Sequence, residues 1–104
     1  MSDWNRVLAD LSQADRDFAQ VWRFELKHRS ATFCRVFVRD RGRCWICNKF
    51  VHPGLPDGDP KSGTVDHVHA LMHGGSSMLG NLRLAHSHCN NERGAPPPWY
   101  PVRP

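Results

Sequence analysis

Along the first third of the chain, apolar side chains return every three or four places. Trp4, Val7, Leu8 and Leu11 predict a helix with one apolar face, and Ser2 is available to cap its start. Ser12 with Asp15 three places on resembles a capping box, although that motif prefers Glu or Gln at its last place. Phe18, Val21, Trp22 and Leu26 then continue an apolar stripe, which predicts a second helix from about Gln13 to His28. Its aromatic residues read as core contacts, because polar residues fill the places between them. From Ala31 to Val38 the pattern stops discriminating. Phe33, Val36, Phe37 and Val38 are aromatic or β-branched without clean alternation, and fit a helix or a strand.

The second half is punctuated differently. His52 to Gly63 is rich in Gly, Pro and Asp and predicts an irregular surface loop. Thr64 to Val68 reads as a short strand, the HGGSS segment from His73 as a turn, and Leu82 to Ala85 as a second short strand. A short helix is expected from about His86 to Arg93, stopped by Gly94 and Pro96. The last ten residues hold five of the eight prolines, so an extended, polyproline-like tail is expected there. No internal repeat is visible, and 104 residues suit one α+β domain.

Composition adds a constraint. Only 39% of the residues are hydrophobic, so the core is thin for the length and a staple is expected. Four cysteines can supply one, as disulfides or as metal thiolates. The N-terminus has no basic segment followed by an apolar one, and no run approaches the roughly 20 apolar residues that span a bilayer. A cytoplasmic protein is expected, which favours metal. Net charge is +4, a mild hint of a polyanionic partner, but eight basic residues against two acidic ones lie between Arg23 and Lys49. That stretch could follow a phosphate backbone or form a solvated face.

Cys44 and Cys47 form a C-x2-C pair, and His86 with Cys89 repeats the spacing far along the chain. Three sulfurs and one imidazole nitrogen suit a structural zinc ion with no open position. His88 is a rival to His86, but the x2 spacing to Cys89 favours His86. Cys34 is left over and reads as a buried apolar residue.

Between the two ligand pairs stand Asp66-His67-Val68, Gly74-Gly75 and Asn81-Leu82, followed by Cys89-Asn90. In this order and spacing, residues 39–94 resemble the zinc-bearing HNH endonucleases. Three positions depart from the family pattern: Ala70 replaces a frequent Pro, His86 the third cysteine, and Asn90 the last histidine. The resemblance therefore implies an H-N-N variant. It implies a ββα-metal (His-Me finger) core over residues 31–95 with the zinc site, preceded by a helical extension over 1–30 and followed by the Pro-rich tail over 96–104. It also implies hydrolysis of DNA phosphodiester bonds. His67 would be the general base, since imidazole is available in neutral form near pH 7. Asp66 and Asn90 would hold one divalent ion, and Asn81 would brace the hairpin loop and orient His67. Hard oxygen donors favour Mg²⁺ or Mn²⁺ over softer metals.

Arg39, Arg41, Arg43, Arg83 and Arg93 are expected DNA contacts. His69 falls on the same side of the first strand as His67 and reads equally as a phosphate or metal contact and as a surface residue, whereas His73 reads as a solvated loop residue. Small free-standing HNH proteins are frequent in bacteriophages, so a phage setting, with the packaging terminase as a partner, is a further expectation. The rival from another class is a non-catalytic, zinc-finger-like nucleic-acid-binding module. It needs only the four zinc ligands and the basic stretch, and leaves Asp66, His67, Asn81 and Asn90 unexplained.

Overall fold

The computed structural model describes residues 2–69 and 74–93, without the side chains of Ser2 and Asp3. The expected cap at Ser2, Ala70, His73, the helix stop at Gly94 and Pro96, and the polyproline tail lie outside this description. Four helices come first: α1 (Ser2–Ala9), α2 (Gln13–Val21), α3 (Arg23–Leu26) and α4 (Ala31–Arg39). Strands β1 (Gly63–His67) and β2 (Leu82–His86) follow, and α5 (Ser87–Arg93) closes the order. Each strand is displaced by one residue or extended by one relative to its sequence pattern.

The helix expected from Gln13 to His28 is two helices. Ser12 caps α2 as its hydroxyl accepts from the Asp15 N–H, but the chain leaves helical geometry at Trp22 (φ −107°, ψ 18°). The break re-aims the chain. The Trp22 ring packs on Phe37, Phe50 and His52, and Leu26 is fully buried. Val21, which the apolar stripe assigns to the same face, is 73% exposed instead.

The ambiguous segment Ala31 to Val38 is helical. Ser30 caps α4 through the Phe33 N–H, and Phe33, Cys34, Val36, Phe37 and Val38 are all buried. Packing on both sides explains the lack of a single apolar stripe: α4 is covered by α1 and α2 on one side and by the strands on the other. The rings of Phe18, Trp22, Phe33 and Phe50 surround Phe37 at centroid distances of 5.6–6.5 Å. At its C-terminus, Gly42 N–H bonds to Phe37 O and Arg41 N–H to Val38 O, with Arg41 at φ 54°. This is a Schellman ending. Gly42 follows at φ 72°, and a Cβ there would lie 2.5 Å from the Phe50 ring, so no larger residue fits.

Strands β1 and β2 pair antiparallel, with Asp66 opposite Arg83 and His67 opposite Leu82. The Leu84 N–H donates to the Asp40 carboxylate at the end of α4, fixing the hairpin to the helical layer. Strand, strand and helix in this order, with α5 packed on both strands, form the expected ββα unit. The N-terminal helices share its core: Trp4, Val7, Ala19 and Leu26 belong to the same buried cluster as Phe37, Leu82 and Leu84. Truncating the central ring, Phe37→Ala, is expected to cost about 3–5 kcal/mol. A urea unfolding series at saturating zinc measures it, and a loss below about 1 kcal/mol would show that the cluster is not the main support.

Candidate functional site

Residues 43–50 form a tight knuckle. Arg43 bridges Phe50, the Cys44 N–H bonds to Lys49 O, and the Asn48 N–H to Cys44 O, with Asn48 at φ 63°. This turn presents Cys44 and Cys47 together. His86 ends β2 and Cys89 lies in the first turn of α5, and the Trp45 N–H to Leu84 O bond clips the knuckle to β2. One ligand atom from each of Cys44, Cys47, His86 and Cys89 lies within 4.8 Å of every other. Such spacing and a three-sulfur, one-nitrogen donor set fit a tetrahedral zinc ion.

The imidazole is held for that task. His86 Nε2 lies 2.9 Å from Phe50 O, so the ring donates there and turns Nδ1, 3.3 Å from Cys47 Sγ, toward the sulfurs. His88 is outside the cluster: its Nδ1 donates to Pro60 O at 2.8 Å, and its Nε2 lies 3.5 Å from Cys89 Sγ. Burial pushes the Cys44 thiol up, but hydrogen bonds from the backbone at Cys47, His86 and Ile46 outweigh it and leave the thiol below its ordinary value. Burial, followed by the neighbouring Cys47 and Cys44 thiols, pushes Cys89 up to about 12. Cys34 is buried apart from these, its thiol against Leu26 O.

Asp66 and His67 are neighbours on β1 and so face opposite sides. His67 is half-buried, with Nε2 3.3 Å from the Ser77 hydroxyl. Asn81 closes the hairpin connection. Its Oδ1 accepts from the His69 N–H at 2.8 Å, while its Nδ2 donates to His69 O at 3.0 Å and Ser76 O at 2.6 Å. Asn90 is half-buried on α5, one turn before Arg93 and therefore on the same helix face. His69 is half-buried, its backbone held by Asn81.

On the other side of β1, Asp66 is 95% buried and fully engaged. Arg93 Nη2 donates to both carboxylate oxygens at 2.7 Å and Nε to Oδ2 at 3.1 Å. The Trp45 indole N–H reaches Oδ2 at 2.9 Å, and the guanidinium lies 5.1 Å from the Trp45 ring centroid. Sequence reasoning missed these partners. Trp45 has no assigned role in the sequence, and Arg93 reads there as a phosphate contact, whereas its side chain is only 13% exposed.

The other expected DNA contacts are differently placed. Arg39 bonds the carbonyls of Leu79 and Leu82 and pairs with Asp40, and Arg83 bonds the carbonyls of Gly80 and Leu82. These two arginines line a shallow depression at the start of β2 with Asp40 and Gly80. Arg41 pairs with Asp15 at 2.6 Å, away from the hairpin, and Arg43 donates to Asn48 O within the knuckle. Among the described residues no helix is long and apolar enough to cross a membrane.

A family model described as HNH endonuclease matches residues 44–95, half of the chain, from the first cysteine of the cluster to just beyond α5. No curated protein and no solved structure matches the chain.

Filling the cluster requires thiolates, and burial beside the Cys47 and Cys44 thiols pushes the Cys89 thiol above its ordinary value. Zinc capture should therefore release protons, and affinity should rise with pH. Competition with a chromophoric chelator at pH 6.5 and 8.0 is expected to give tighter binding at 8.0 and one zinc per chain. Affinity that does not change with pH would contradict thiolate ligation.

Proposed function

Because the chain belongs to the HNH endonuclease family, we propose that it hydrolyses DNA phosphodiester bonds, with His67 as general base. The observation that supports this most directly is the ordering around the hairpin. His67 stands on β1 beside Ser77, and the Asn81 side chain ties both sides of the β1–β2 connection through three hydrogen bonds. A general base must be held within reach of its water, and such bracing limits how far the strand end can wander.

In this reading the chain's own groups divide the work. His67 takes a proton from the attacking water at its imidazole, and the Ser77 hydroxyl steadies the ring. Asn81 acts through the loop backbone. Arg39 and Arg83, beside each other at the start of β2, receive backbone phosphates, with Arg41 and Arg43 farther out along the duplex and Arg93 once its guanidinium is free. Asp66 and Asn90 offer the hard oxygen donors that Mg²⁺ or Mn²⁺ requires, and their chemistry fits such an ion, although Arg93 holds the Asp66 carboxylate. When bound, a divalent ion supplies positive charge to the phosphate and the leaving oxygen. The zinc cluster has a structural part only. The proposal extends to a setting in the bacterial cytoplasm during phage infection, with DNA as substrate and terminase as a partner.

Replacing the base, His67→Ala, should lower the nicking rate on supercoiled plasmid by about 10²–10⁴-fold. Zinc content and DNA affinity should stay unchanged. Equal nicking by wild type and His67→Ala would reject His67 as the base.

A further inference from the structure

The Asp66 carboxylate carries four short contacts, three of them from one guanidinium. Both partners of the ion pair are largely buried, Arg93 at 13% and Asp66 at 5% side-chain exposure. A buried pair of this geometry is little screened by solvent, so it competes with any other cation for the same oxygens. Arg93 carries a second peculiarity. Its Nη1 is buried and has no hydrogen-bond partner among the described residues, although Nη2 also reaches His67 O at 3.3 Å. Native structures seldom leave such a donor unpaired, and among the described residues this guanidinium nitrogen has no acceptor.

From this geometry we infer that Arg93 is a positioning residue that sets the cation affinity of Asp66. The inference rests on the reading of Asp66 as a cation-holding residue. Arg93 occupies the carboxylate as an internal cation, and a divalent ion gains Asp66 only as this ion pair opens. Arg93 lies one helical turn from Asn90 on α5, so the group that must leave and the second oxygen donor share one helix face. The freed guanidinium, whose Nη1 has no acceptor among the described residues, is then available to an anionic oxygen such as a phosphate. Cation and phosphate would thus each stabilise the state the other needs, which makes their binding mutually reinforcing. Trp45 links this pair to the zinc knuckle: its indole N–H holds Oδ2, so Asp66 stays oriented when Arg93 lets go.

The test is Mn²⁺ binding by the zinc-loaded protein, followed by electron paramagnetic resonance, with circular dichroism and zinc content verifying each variant. Arg93→Gln removes the internal cation and should tighten Mn²⁺ by at least about tenfold. Arg93→Lys keeps the charge without the fork and should fall between Arg93→Gln and wild type. Asp66→Asn should abolish the site. Weaker or unchanged binding in Arg93→Gln, with loss in Asp66→Asn, would overturn the role of Arg93 while leaving Asp66 as the ligand. Unchanged binding in Asp66→Asn would overturn the underlying reading as well. If Arg93→Gln does not fold, wild-type protein suffices: Mg²⁺ should shift the Arg93 Nε–H resonance as the pair opens, and no shift at saturation would overturn the inference.

Discussion

The Cys₃His cluster is the constraint on which the remainder of the structure depends. Two of its ligands come from the knuckle at residues 43–50 and two from the junction of β2 and α5, so one ion would tie chain segments about forty residues apart. A hairpin of two five-residue strands has little stability alone. Its ligands stand at the end of β2 and in the first turn of α5, and the Trp45 N–H to Leu84 O bond holds the knuckle against β2. From that junction follow the positions of His67 and Asp66 on the paired strand and of Asn90 and Arg93 on the helix.

The helical layer supplies what the hairpin lacks. Phe37 sits among four other aromatic rings, and Asp40 at the end of the same helix accepts the Leu84 N–H. Aromatic packing and a charge-assisted hydrogen bond thus anchor β2 from one side while the cluster anchors it from the other. The hairpin connection between them is closed by Asn81, whose side chain substitutes for backbone pairing where the strands diverge.

Features set by spacing were legible in the sequence. Cys44, Cys47, His86 and Cys89 could be grouped because ligand geometry demands particular intervals, and the strands because short apolar runs lie between turn residues. Features set by tertiary packing were not. The stretch around Phe37 is buried on more than one side, so its period carries no signal, and the bend at Trp22 goes with ring contacts to Phe37, Phe50 and His52 that are distant in sequence. The contacts of Asp66 with Arg93 and Trp45 span 27 and 21 residues, and nothing local in the sequence distinguishes an arginine that pairs inside from one that faces phosphate.

The proposed function separates a soft, sulfur-rich site that holds the fold from Asp66 and Asn90, the hard oxygen donors that would hold a catalytic ion, and from His67, the proposed base. The most direct test is cleavage of supercoiled plasmid by zinc-loaded protein across a series of Mg²⁺, Mn²⁺, Ni²⁺ and Zn²⁺. Conversion to relaxed or linear DNA with Mg²⁺ or Mn²⁺, and none with zinc alone, is the predicted result. Cleavage supported only by zinc, or by no metal in the series, would contradict it.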